Sequence, residues 1–134
     1  MALLQVNFFS NSLRKQTAFN ALIPLDRAEG PSGRPMKALY LLHGYSGNYM
    51  DWVCNSSIQE FSLKHEIAVF MPSGENFFYL DDIDMNSLYS EYIGSELVEF
   101  TRKMFPISDK REDTFIGGLS MGGYGAIRNG LKYN

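Results

Sequence analysis

The segment Gly118-Leu119-Ser120-Met121-Gly122 sets a serine two residues away from a glycine on either side. Ahead of it runs Thr114-Phe115-Ile116-Gly117, a short apolar, β-branched stretch suited to a buried strand. Behind it, Gly123-Tyr124-Gly125-Ala126-Ile127-Arg128 reads as a helix start. A G-x-S-x-G at a strand-to-helix junction is a nucleophile elbow. Its turn is so tight that Gly118 and Gly122 must approach each other, and only glycine fits at both places. The strain lifts the Ser120 hydroxyl above the sheet, where it can attack a carbonyl. A merely structural glycine-rich turn is the bland alternative, and the strand before and helix after argue against it.

Acyl transfer by a serine needs three further things: a base to take the hydroxyl proton, an acid to orient that base, and N–H donors for the tetrahedral oxyanion. The Met121 backbone N–H, next after the serine, is one expected donor. The second is expected from the loop His43-Gly44-Tyr45-Ser46-Gly47-Asn48, which follows the apolar run Leu39-Tyr40-Leu41-Leu42. In such a His-Gly loop the Gly44 backbone turns so that the Tyr45 N–H points at substrate. An ordinary strand-to-helix turn is the competing reading. Neither histidine suits the base. His43 belongs to the oxyanion loop and is expected to support it, and His65 lies between Lys64 and Glu66 on an expected surface helix. Residues 121–134 hold no aspartate, glutamate or histidine, so two members of a triad are missing.

Other chemistry-bearing residues carry weaker signals. Cys54 is the lone cysteine. It excludes an internal disulfide, fits a reducing, cytoplasmic setting, and is expected to be a buried small hydrophobe. Asp81-Asp82-Ile83-Asp84 lacks the glycine and closing glutamate of a calcium loop, so an exposed loop is expected there and no metal. Phe77-Phe78-Tyr79 either borders a substrate cleft or simply packs.

The elements that must hold these residues can be read from pattern. Val6–Ser10 and Gln16–Ile23 read as a hairpin with a polar turn at Asn11-Ser12, closed by Pro24. Asp26 to Pro35 is a loop by its glycines and prolines. Lys37–Leu42 and Ile67–Met71 are continuous apolar runs of the kind buried on both faces of a parallel sheet. Between them Asp51–Lys64 is expected to be helical, with Asn55, Ser56 or Ser57 capping a stretch that carries Ile58, Phe61 and His65. The clearest helix spans about Ser87 to Phe105, with Tyr89, Tyr92, Ile93, Leu97, Phe100 and Met104 on one face and Glu91, Glu96, Glu99 and Arg102 off it. A hairpin followed by strand–helix units predicts a mostly parallel α/β sheet with helices on both faces, and puts the elbow at the end of the fifth strand.

Composition agrees with one globular core. The 134 residues are 45% hydrophobic and 20% charged, with a net charge of −3. That balance gives no basic footprint for nucleic acid or anionic membrane. No apolar run reaches bilayer-spanning length, and the N-terminus lacks the basic leader of a signal peptide.

Three blocks together resemble the esterase D family of α/β-hydrolases, nearest to the bacterial tributyrin-type esterases. They are Leu41–Trp52 (LLHGYSGNYMDW), Pro72–Tyr79 (PSGENFFY) and Phe105–Ala126 (FPISDKREDTFIGGLSMGGYGA). The resemblance implies an α/β-hydrolase fold and a serine carboxylesterase acting on small acyl esters without cofactor or metal. Ser120 would be the nucleophile and the Tyr45 and Met121 amides the oxyanion pair. The family also contains S-formylglutathione hydrolases, so thioester hydrolysis is the alternative activity. Members run to roughly twice this length, with acid and base on later loops. Residues 1–134 are therefore expected to form the N-terminal part of one domain, truncated after about five strands and itself nearly inactive. A homo-oligomer in which another copy covers the bared edge, or a non-catalytic interaction module, are the competing arrangements.

Overall fold

A computed structural model describes residues 1–26, 34–85 and 87–133. Strands β1 (Ala2–Ser10), β2 (Lys15–Ile23), β3 (Lys37–Leu42) and β4 (Ile67–Pro72) form the first part of the sheet. Helices α1 (Asp51–Asn55) and α2 (Ile58–His65) lie between β3 and β4 in sequence. A two-residue ladder, β5 (Asp81–Asp82) with β6 (Ser87–Leu88), precedes a composite helix: α3 (Tyr89–Glu91), a π-helical turn (Tyr92–Glu96) and α4 (Leu97–Met104). Strand β7 (Thr114–Gly118) then leads into α5 (Met121–Lys132). The composition-based loop from Asp26 to Pro35 has residues 27–33 outside the described ones.

The five-stranded sheet has the order β1-β2-β4-β3-β7. The hairpin supplies its antiparallel pairings, β1 with β2 and β2 with β4, while β3 pairs in parallel with both β4 and β7. Side chains alternate across it, as strand geometry requires. Ala38, Tyr40, Leu42, Ala68 and Phe70 join the larger core beneath Tyr92, Leu97 and Met121. Leu41, Val69 and Met71 face the other way, onto Ile58, with Trp52 and Val53 packed alongside. Helices thus cover both faces, the arrangement expected of an α/β fold.

Four local expectations are corrected. The stretch Thr114–Gly117 is a strand but only a half-buried one: among the described residues β7 has a partner on one side alone, and Phe115 is 44% exposed. Asp51–Lys64 is two helices, because Ser56 is extended (φ −146°, ψ 172°) and its Oγ accepts the Ile58 N–H at 3.3 Å. Cys54 is exposed, because it is Trp52 and Val53 of the short α1 that pack on the sheet. In the long helix the π turn adds a residue between Tyr92 and Leu97, marked by the Leu97 N–H to Tyr92 carbonyl bond. The apolar stripe shifts accordingly: Thr101 is buried, Met104 is exposed, and Glu96 turns inward to the β1–β2 hairpin.

Candidate active site

Strand β7 is zipped to β3 up to the pair Leu42–Gly118, and the Leu119 N–H then donates to the Leu42 carbonyl at 3.3 Å. Trp52 Nε1 donates to the same carbonyl at 3.1 Å, tying α1 to the crossing point. Ser120 follows with φ 56° and ψ −113°, a conformation L residues avoid, and α5 begins at the next residue. Its side chain is exposed at this junction. A Cβ on Gly118 would come 2.8 Å from the Gly122 Cα, and one on Gly122 would come 2.7 Å from the His43 carbonyl oxygen. Both approaches are far inside van der Waals contact, so the turn closes only with glycine at each place.

The loop after β3 meets this turn. A Cβ on Gly44 would sit 3.3 Å from the Leu119 carbonyl oxygen and 3.8 Å from the Ser120 Cβ. The Gly47 N–H returns to the Gly44 carbonyl at 3.1 Å, and Ser46 has φ 67°, the positive value that the third position of a type II turn demands. Among the described residues, the N–H groups of Tyr45 and Met121 donate to no acceptor. For Met121 this follows from its place in the first turn of a helix, where N–H groups have no partner within the helix and feel the positive end of its dipole. Two unengaged amides therefore flank an exposed serine hydroxyl.

His43 is buried and fully engaged. Its Nε2 accepts the Gly74 N–H at 2.9 Å, which leaves the proton on Nδ1, 2.7 Å from the Gly44 carbonyl. With both ring nitrogens bound to backbone, it braces two loops and has no free lone pair for a hydroxyl proton. His65 is exposed on α2, its ring 4.8 Å from that of Phe61. No aspartate, glutamate or histidine stands in residues 121–134 to complete a triad.

Sequence reasoning passed over the second loop, residues 73–79, as a scaffold. Ser73 Oγ accepts the Tyr49 N–H at 3.2 Å, and Asn76 Oδ1 accepts the Ser46 N–H at 2.8 Å. Tyr79 is fully buried; its hydroxyl donates to the His43 carbonyl at 2.9 Å, and burial pushes its phenol well above the ordinary range. The ring fills the space that a Cβ on Gly74 or Gly125 would need. Only the glycines hinted at this, since nothing local marks Tyr79 rather than Phe77 or Phe78 as the buried ring. Phe77 instead stacks on Tyr89 at 5.5 Å and Phe78 remains exposed.

The acidic run is tied into local structure. Asp81 accepts the Glu91 N–H at 3.1 Å and faces Lys132 at 3.6 Å, while Asp82 accepts the Met85 N–H at 3.2 Å. Among the described residues no three histidine, cysteine or acidic side chains are grouped to hold a metal. Nor is any described helix long and apolar enough to cross a membrane.

Comparison with known proteins gives a consistent set of likenesses. The Esterase family model matches residues 10–134. The chain is 55% identical to an acetyl esterase of Caldicellulosiruptor saccharolyticus, over all of this chain and 52% of that protein. It superposes on the fluorophosphonate-binding serine hydrolase F of Staphylococcus aureus with a TM-score of 0.86 and 32% identity, covering 98% of this chain and 52% of that one. An S-formylglutathione hydrolase of the same organism gives 0.84 and 30%, with coverages of 98% and 52%. The chain thus spans about half the length of the relatives it matches.

Proposed function

The chain belongs to the Esterase family, and on that premise we propose that it is the nucleophile-bearing part of a serine carboxylesterase acting on short-chain acyl esters. The observation that carries the proposal is the exposed Ser120 at φ 56°, flanked by the unengaged amides of Tyr45 and Met121. The Ser120 hydroxyl gives its proton to a base and attacks the ester carbonyl. The oxyanion takes the Tyr45 and Met121 N–H groups, and the alcohol leaves with the proton returned by the base. Water then hydrolyses the acyl-enzyme by the same route. Gly44, Gly118 and Gly122 allow the close approach of the two turns. This route uses no metal or cofactor.

The acid and base belong, in this proposal, to residues beyond 134 in the whole protein. The relatives' greater length and the sequence of residues 121–134 support that placement. Without them residues 1–134 turn over little, since removing triad members leaves only the modest acceleration from binding and the oxyanion hole. The single cysteine supports a cytoplasmic setting.

Intact mass after incubation with a fluorophosphonate tests the assignment. One adduct is expected in the whole protein, mapped to Ser120 and lost in Ser120→Ala; labelling elsewhere, or none, refutes it. Thioester hydrolysis is the second reading, motivated by the likeness to an S-formylglutathione hydrolase. Turnover of S-formylglutathione against p-nitrophenyl acetate separates the two activities.

A further inference from the structure

The Tyr45 N–H is aimed by groups that lie partly outside its own loop. In a trans peptide that N–H points opposite to the Gly44 carbonyl, so whatever holds the carbonyl aims the amide. The Gly44 carbonyl accepts from His43 Nδ1 at 2.7 Å and from the Gly47 N–H at 3.1 Å. The peptide before it is gripped from two sides. Its carbonyl, on His43, accepts the Tyr79 hydroxyl at 2.9 Å, and a Cβ on Gly122 would stand 2.7 Å from the same oxygen.

Tyr79 reaches the second amide as well. Its ring lies so near α5 that a Cβ on Gly125 would come 2.5 Å from the ring Cδ2. Gly125 stands one helical turn after Met121. On the other flank a Cβ on Gly74 would overlap the ring at Cε1, and the Gly74 N–H is the donor to His43 Nε2. One buried residue thus touches both of the segments that carry the amides. Within the loop after β4, Glu75, Phe78 and Tyr79 have φ of 50°, 52° and 57°, values that L residues avoid. Such a run persists only where the surroundings over-determine it, and strain of this kind collects at functional sites. Burial pushes the phenol well above its ordinary range, so the hydroxyl remains a donor at every working pH.

We propose that Tyr79 is a positioning residue for the oxyanion hole. Its hydroxyl and ring hold the Tyr45 and Met121 amides at the spacing a tetrahedral oxyanion needs, before substrate arrives. It acts through His43, Gly74 and Gly125, not on the reacting atoms. This rests on the reading of Ser120 as nucleophile between those amides, and adds the residue that sets them. Preorganised donors favour the transition state over bound substrate, so a loss of positioning falls on kcat and spares KM.

The test is Tyr79→Phe in the whole protein, which keeps the ring between its two glycines and removes the hydroxyl alone. With p-nitrophenyl acetate, kcat per site titrated by a fluorophosphonate should fall about tenfold, less than the loss that follows removal of a whole donor. KM should stay within about twofold of the parent. A trifluoromethyl ketone takes the Ser120 Oγ at its carbonyl carbon and leaves its oxygen as the bound oxyanion, so its Ki should rise by the same factor. The loss should not vary with pH. Gly125→Ala, which crowds the ring from α5 and leaves the hydroxyl in place, should also lower kcat. A lower urea midpoint in Tyr79→Phe with kcat and Ki unchanged would mark a packing role and overturn the proposal. A rise in KM alone would do the same, as would a pH-dependent loss, the sign of a proton carrier. Labelling keeps the two ideas apart. A Ser120 adduct in the parent with kcat untouched in Tyr79→Phe removes the positioning role alone, whereas no adduct in the parent removes both.

Discussion

Ser120 owes its position to two residues with no side chain at all. The Gly122 Cα side faces the backbone of Leu42 and His43, so a methyl there would strike two carbonyls that cannot move without unzipping β3 from β7. Overpacking of this kind typically costs about 1–3 kcal/mol. Gly122→Ala should therefore lower stability by about 2 kcal/mol or more, read as a lower urea midpoint. Gly123→Ala, whose Cβ would meet only the Gly118 carbonyl oxygen at 3.5 Å, should be neutral or slightly stabilising. Equal losses at the two positions would contradict this account of the turn. Here the sequence was legible because the constraint is local: two glycines at fixed spacing, a strand before and a helix after. Tyr79 and Asn76 were not legible, since their roles depend on a loop thirty residues upstream being folded against theirs. Cys54 was misread for a similar reason. Its burial depended on which side of a five-residue helix met the sheet, and so short a stretch has no periodicity to reveal that.

Between elements, the π turn shows what a 3.6-residue period conceals. Tyr89, Tyr92, Ile93 and Leu97 were correctly assigned to the core, but a wider turn after Tyr92 rotated everything downstream. That rotation brings the Glu96 carboxylate under the β1–β2 turn. There it accepts from the Ser10 hydroxyl and from the N–H groups of Asn11, at 2.7 Å, and Ser12, at 3.4 Å. Bonds to a partly buried carboxylate contribute about 1.5–3 kcal/mol each at most, and removing it strands the donors. Glu96→Ala should cost about 2–3 kcal/mol by urea unfolding and raise hydrogen exchange at Asn11 and Leu13. Glu99→Ala, on the exposed side of α4, should change stability by less than about 0.5 kcal/mol. If the two substitutions proved equivalent, the carboxylate clamp would have no part in holding the hairpin. Sheet strands were easier to read than this helix, because β3 and β4 are apolar on both faces and tolerate no slip in phase.

At the scale of residues 1–134 taken together, the bare edge of β7 is the dominant feature. Among the described residues its outward N–H and C=O groups have no neighbouring strand, and Phe115 (44% exposed) lies along it, while Ile127 (70%) and Leu131 (76%) stand out from α5. Beside the strand runs a groove of about 510 Å³, apolar along Ile93, Val98, Phe115 and Ile116 and rimmed by the charged Arg102, Asp109, Arg111 and Glu112. Arg102 Nε is buried there without a hydrogen-bond partner among the described residues. An apolar strand edge beside an apolar helix face and an unsatisfied donor is poorly suited to water, and such edges recruit other strands. Residues 1–134 in isolation should therefore self-associate, visible by sedimentation velocity as species above the monomer whose share grows with concentration. Phe115→Lys places a charge on the edge, as natural edge strands do, and should shift the distribution toward monomer while far-UV circular dichroism stays unchanged. A chain that remained monomeric throughout the micromolar range would show that α5 and the groove shield the edge well enough alone. Association that ignored Phe115→Lys but yielded to Ile127→Lys would move the sticky surface from the strand to the helix.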